Sequence, residues 1–375
     1  MTNKKPKLQA LTGLRFFAAV HVVAFHYLAA SSGIPALLYH ITRYGYVGVS
    51  LFFVLSGFVL AYSYPDLPTT ASKKQFWLAR FARIYPLYAV ALVLSSVIFL
   101  SYLPSISALS LTKAGVKVAL EASLLHAWTP WTTCGINCPG WSLSAEAFFY
   151  LVFPFVINKL YKLDARQAAL GMGALWLISM VTPVAYLLIK PGFAGSARLS
   201  GLLLNLVIYT PLFHLPQFLI GVLAGSLFTK KQARQGLPIP ARTSLVLITM
   251  IVVALLFAYA VLNLDYTLVN NGLFAPIFAA LLYLLADGRT LASRFLSAPL
   301  LVLLGEASYA IYILQYPLMN WFSYIRNQIW QSGPIQSGTL FLVCTALLIL
   351  ISVVSYYALE IPAKKWILST VRNRP

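Results

Sequence analysis

The chain has 375 residues, 60% of them hydrophobic and 9% charged, with a mean hydropathy of +0.81. Soluble domains carry about 25% charged residues. This chain therefore lacks the polar surface to cover a water-soluble globule, and it reads as an all-α, polytopic membrane protein. Its formal charge of +19 does not call for a nucleic acid, because basic residues on such proteins mark cytoplasmic loops and the anionic leaflet.

Ten transmembrane helices are predicted in chain order, at 9–31, 44–64, 85–103, 141–158, 168–189, 212–229, 243–262, 272–286, 304–324 and 338–359. The first is not a cleaved signal peptide, since it lacks a small-residue cleavage site and holds Arg15. With a cytoplasmic N-terminus, the inner segments hold Lys4, Lys5 and Lys7; Lys73, Lys74, Arg80 and Arg83; Lys159, Lys162 and Arg166; Lys230, Lys231, Arg234 and Arg242; Arg289 and Arg294; and Lys364, Lys365, Arg372 and Arg374. The outer segments hold only Arg43, Lys113, Lys117, Lys190, Arg198 and Arg326. That asymmetry places both termini in the cytoplasm. Apolar runs spread along the whole length predict one transmembrane domain over 1–375 with no appended soluble domain. No internal repeat of the transporter kind is visible.

The first span carries "RFFAAVHVVAFH". Ionisable groups in a span are costly, so they face the bundle interior and carry function. Arg15 and His26 are eleven positions apart, a rise of roughly 16 Å, and eleven steps of about 100° bring both side chains to the same helix face. His21 points elsewhere and reads as a packed or hydrogen-bonded histidine. At the inner mouth of the third span, Arg80 and Arg83 share a helix face. They form either a phosphate clamp or ordinary positive-inside charge.

The longest outer segment, 104–140, contains "HAWTPWTTCGINCPGW". Its tryptophans suit an interfacial re-entrant or lid segment. Cys134 and Cys138 are either a disulfide or free thiols on the outer side. No second pair of ligands lies nearby, so no metal is expected. Cys344 reads as a packing residue. Glu146 lies in the fourth span, about one and a half turns from the outside, and the same depth is expected for His26. A carboxylate there would fix the histidine tautomer for base catalysis, or the two would only tie helices together. Glu306 and Glu360 stand at inner helix ends.

The stretches "LTGLRFFAAVHVVAFH", "VGVSLFFVLSGFVLAY", "FWLARFARIYPLY", "WSLSAEAFFYLVFP", "LPQFLIGVLAG", "LGEASYAIYILQYPL" and "YYALEIPAKKW" follow one another in this order. In that set the chain resembles the acyltransferase family 3 membrane proteins, which O-acylate carbohydrates and other acceptors. The resemblance implies a multi-pass protein of a bacterial cytoplasmic (inner) membrane. It assigns catalysis to His26 and Glu146 and donor binding to Arg15, Arg80 and Arg83. The implied donor is acyl-CoA, most simply acetyl-CoA. The implied acceptor is a hydroxyl of a lipid-linked glycan, exported polysaccharide or other molecule. Neither metal nor nucleic acid takes part, and membrane lipid is the surrounding partner. Phosphates would meet the arginines at the inner face, and an extended pantetheine arm, on the order of 15–20 Å, spans the Arg15–His26 rise. His26 would act as general base or transient acyl carrier. Where many members carry a histidine before the proline of the ninth span, this chain has Gln315, which hydrogen-bonds but does not titrate. The competing class is a proton-coupled small-solute transporter using intramembrane His and Glu.

Overall fold

An apolar run of membrane-spanning length satisfies its backbone in hydrocarbon by forming a helix. The computed structural model follows that rule and shows no strand among the residues it describes, which are 6–28, 35–101, 108–189, 197–233, 239–262, 264–330 and 338–372. Lys4, Lys5, Lys190, Arg234 and Arg374 lie outside the described residues, as do 104–107 of the long outer segment. The helices are α1 (Gln9–Tyr27), α2 (Ala36–Thr42), α3 (Val47–Ser63), α4 (Thr70–Ser101), α5 (Ala108–Ala122), α6 (Trp141–Leu160), α7 (Ala165–Ile189), α8 (Ala197–Tyr209) and α9 (Pro211–Ala233). There follow α10 (Ala241–Val261), α11 (Tyr266–Asn270), α12 (Ala275–Ala286), α13 (Leu291–Leu296), α14 (Pro299–Glu306), α15 (Ser308–Trp330), α16 (Gly338–Ser355) and α17 (Ile361–Arg372).

Each predicted run falls on a helix. Among the described residues, eight helical stretches are long and apolar enough to cross a membrane. A ninth arises if α14 and α15, bent by 53° at Ala307, form one broken span. At 17 residues, α3 is shorter than these. The largest departure is α4, which runs 32 residues from Thr70 rather than starting near 85. The basic stretch around Arg80 and Arg83 is thus continuous with the span itself in one helix.

The centre of the bundle is the α3–α9 pair. Gly57, Gly221 and Gly225 let these two backbones touch; a Cβ at Gly221 would overlap the Val54 carbonyl. Close approach through small residues is the usual packing device where lipid offers no hydrophobic drive.

Two intrahelical prolines shape the site. A proline lacks the N–H that would bond the carbonyl four residues back. In α6, Pro154 frees the Tyr150 carbonyl, and Trp77 Nε1 donates to it at 2.9 Å. In α15, Pro317 frees the Ile313 carbonyl, and Asn137 Nδ2 donates to it at 3.3 Å. Buried carbonyls demand such partners, so each proline recruits a polar side chain from another element.

The polar links between helix ends sort into two sets. At one end Tyr62 donates to the Pro6 carbonyl (2.9 Å), Lys230 to that of Leu163 (2.6 Å) and Arg289 to that of Ile239 (2.9 Å). At the other, Tyr44 donates to the Leu262 carbonyl (2.8 Å) and Asn205 to that of Pro130 (2.9 Å). The first set belongs to the lysine- and arginine-rich segments and is called the basic end below.

Candidate active site

A cavity of about 760 Å³ opens among α1, α3, α4, α6, α14 and α15, within the usual range for small-molecule sites. Pro6, Lys7, Tyr62 and Ser63 line it at the basic end. Arg15 enters from α1, Arg80 and Arg83 from one face of α4, Glu146 and Tyr150 from one face of α6, and Glu306 from the end of α14. The three expected donor-binding arginines therefore share one space, with Glu146 beside them.

The charges face one another across this cavity. Arg15 and Arg83 both feel the carboxylates of Glu146 and Glu306, and Arg83 feels Glu360 as well. Lys364 of α17 faces Arg80, Arg83, Glu306 and Glu360. Among the described residues none of the three arginines closes an ion pair with a carboxylate. Arg80 donates to the Tyr64 hydroxyl at 3.3 Å and lies 5.5 Å from the centre of that ring, yet its buried Nε has no partner. Glu360 Oε1 is likewise buried and unpartnered. Glu360 ends a short π-helical turn, Tyr356–Glu360, a distortion common at functional sites. Open donors held apart by fixed acids suit a polyanion that enters between them.

Glu146 does not meet His26, contrary to the expectation above. Its Oε2 accepts from Tyr150 at 3.0 Å, and its charged neighbours are Arg83, Arg15 and Arg80. The depth differs because α6 does not begin at the outer surface. The helix starts on a buried 3-10 turn, Cys138–Gly140, preceded by Asn137, which is bonded into the middle of α15. Glu146 lies five residues further along, roughly 7.5 Å deeper.

His26 bonds instead to the residue that departs from the family pattern. Its Nδ1 lies 3.0 Å from Gln315 Oε1. The Gln315 amide is oriented by its own Nε2, which donates to the Tyr312 carbonyl at 2.8 Å. Since Gln315 Oε1 can only accept, His26 Nδ1 carries the proton and Nε2 keeps its lone pair. The imidazole is closely surrounded by protein but retains an exposed face. Arg15 opens on the cavity, while His26 meets Gln315 of α15 and does not line that cavity. His21 faces another way and bonds the Ile41 carbonyl at 2.8 Å.

The outer segment is built into the protein. Cys134 and Cys138 form a disulfide. The loop they close is held by Glu121 of α5, buried and accepting the backbone N–H groups of Ile136 and Asn137. Burial pushes the Glu121 carboxyl above its usual range, against those two donors. His126, fully buried beside the carbonyls of Leu120 and Gly140, is pushed down to about 4 by desolvation. Sequence reasoning passed over Glu121, Tyr150, Tyr312 and Lys364. Tyr150 was within reach, because it stands four residues after Glu146 and so on the same face. Among the described residues no three His, Cys, Asp or Glu side chains gather as metal ligands.

Arginines and carboxylates around a small-molecule cavity in a helical membrane protein define either a membrane enzyme or a carrier. A family model described as an acyltransferase domain matches residues 8–357, and the chain belongs to that acyltransferase family. It is 32% identical to the acyltransferase MdmB of Streptomyces mycarofaciens, over 86% of this chain and 81% of that protein. It is 24% identical to the O-acetyltransferase OatA of Staphylococcus aureus over 96% of this chain, and spans 57% of that protein's length. Against the peptidoglycan O-acetyltransferase OatA of Listeria monocytogenes it is 25% identical, over 46% of this chain and 29% of that protein. No solved structure matches the chain. The protein is a multi-pass membrane acyltransferase.

Proposed function

We propose that this protein moves an acyl group, acetyl in the simplest case, from acyl-CoA at the cytoplasmic face to a glycan hydroxyl at the outer face. The observation that carries this reading is the path. One cavity runs from the basic end past Arg80, Arg83 and Arg15 to Tyr312, one helical turn from the Gln315 that holds His26. The three arginines, with Lys364 nearby, receive the nucleotide phosphates of the donor. Glu146, Glu306 and Glu360 hold those cations in place before the donor arrives. The names of the Staphylococcus and Listeria relatives support acetyl as the group and a glycan as the acceptor.

In the reaction, the acceptor hydroxyl gives its proton to His26 Nε2 as its oxygen attacks the thioester carbon. A C–O bond forms and the C–S bond breaks. The departing thiolate then takes the proton from His26, so acyl thioester and alcohol become ester and free thiol. Gln315 holds the tautomer this requires. Purified protein in detergent should release free CoA thiol from acetyl-CoA only when a chitin oligosaccharide or peptidoglycan fragment is supplied. Acceptor-independent release, or none with either acceptor, speaks against the reading.

The same reading places the basic end in the cytoplasm and the disulfide outside. A membrane-impermeant thiol reagent applied to intact cells should label Cys134 and Cys138 only after reduction. Labelling of these two cysteines only from the cytoplasmic side reverses the orientation. Cys344 is buried and serves as the internal background.

A further inference from the structure

The donor cavity stops short of His26, which does not line it. What closes its outer end is a pair of hydroxyls. Ser142 Oγ lies 2.8 Å from the Tyr312 hydroxyl, and both reach the Pro139 carbonyl, at 3.0 and 3.1 Å. Both side chains line the cavity and both are buried. The Tyr312 ring packs edge-on against Phe52 at 6.1 Å. On its far side, the Tyr312 carbonyl holds the amide that orients His26. Tyr312 therefore links the two: its hydroxyl faces the cavity, and its backbone carbonyl holds the amide that orients the base.

The two hydroxyls are not equivalent. If Tyr312 leaves, Ser142 still donates to Pro139 at 3.0 Å. The Tyr312 hydroxyl leaves Pro139 only for another acceptor, either Ser142 Oγ at 2.8 Å or one that a ligand brings, because a buried unpaired donor is unfavourable. A thioester brings one, its carbonyl oxygen, along the path that ends on this residue. We infer that Tyr312 reads the donor's thioester: its hydroxyl moves from the Pro139 carbonyl to the carbonyl oxygen of the acyl group. Tyr312 keeps its proton throughout and supplies a hydrogen bond that strengthens as charge builds on that oxygen. A cavity holding CoA without an acyl group leaves Tyr312 on Pro139. This inference rests on the donor reading above.

The test uses two acetyl-CoA analogues on the purified wild-type protein. One replaces the sulfur by CH₂ and keeps the carbonyl; the other is S-ethyl-CoA, which keeps the sulfur and lacks the carbonyl. The ketone should bind about tenfold more tightly than the thioether, and Tyr312→Phe should erase that difference. In turnover, Tyr312→Phe should raise the donor KM by about the same tenfold and also lower kcat roughly 100-fold, because the bond strengthens in the transition state. Equal binding of the two analogues to the wild type overturns the assignment without any variant, as does wild-type kcat in a folded Tyr312→Phe. If neither analogue binds, it is the acyl-CoA reading that falls. If both bind equally, that reading stands and only the role of Tyr312 is lost.

Discussion

His26→Ala is expected to remove acyl transfer, by a factor of at least roughly 100 to 10,000, while the protein still inserts and folds. That range is what a positioned general base contributes. His26 is the residue whose chemistry nothing nearby can replace. Glu146, the other sequence candidate, is committed to Tyr150 and the arginines. Gln315 cannot take a proton. The expected cost to folding is small, because His26 holds a single hydrogen bond to Gln315 and keeps an exposed face; losing one such bond costs about 0.5–1.5 kcal/mol. His21→Ala is the control. Its imidazole ties α1 to the Ile41 carbonyl and lies on another face, so it should lower thermal stability modestly and leave turnover near normal. The measurement is acceptor-dependent thiol release, alongside thermal unfolding in the same detergent. Near-normal turnover of His26→Ala takes the histidine out of the mechanism. Equal losses in both variants mean that the helix itself, not the base, was disturbed.

The elements were legible because lipid imposes one rule on backbone. Apolar runs in this sequence have few structural options, and each of them became helix. Helix pitch likewise fixes which side chains can share a face; in the fold Arg15 opens on the cavity and His26 meets α15. What pitch cannot supply is where a helix starts in depth. Trp141 reads as an interfacial residue at the top of a span, and the site expectation for Glu146 followed from that. In the fold, Pro317 leaves the Ile313 carbonyl open and Asn137 sinks the start of α6 to meet it. The proline is visible in the sequence, but its partner lies 180 residues away and carries no local signal. Glu121 escaped notice for a related reason. It stands one turn after Lys117 in an amphipathic helix, and only the disulfide loop folded over it reveals that its charge is spent on backbone N–H groups. Gln315 stood out as a departure from a family pattern, yet its bond to His26 depends on the crossing of α1 and α15.

Arg80→Ala and Arg83→Ala should raise the donor KM by roughly 10- to 150-fold each, with a smaller fall in kcat. The figure follows from hydrogen bonds to charged groups, about 1.5–3 kcal/mol apiece, lost equally from ground and transition states. Both side chains line the cavity on its way from the basic end, well before the Tyr312–Ser142 pair and the His26 beyond it. The two variants should differ in stability. Arg80 is held by the Tyr64 hydroxyl and lies against the Tyr64 and Phe76 rings, so its removal forfeits some packing and the weakest of the three cations facing Glu146. Arg83 stands among Glu146, Glu306 and Glu360. Without it three carboxylates face one another in a low dielectric with fewer compensating charges, the costly half of a broken buried pair. Arg83→Ala should therefore unfold at a clearly lower temperature than Arg80→Ala. Arg83→Lys should recover most of that stability, because a point charge suffices to balance the acids. It should recover little of the donor affinity, because lysine lacks the fork that grips a phosphate through two parallel hydrogen bonds. Donor-saturation kinetics and thermal unfolding on these three variants decide the matter. If Arg80→Ala and Arg83→Ala keep the wild-type donor KM and lose only kcat, the arginines do not bind the donor and belong with the reacting groups. If Arg83→Lys restores KM together with stability, the cavity senses net charge rather than phosphate geometry.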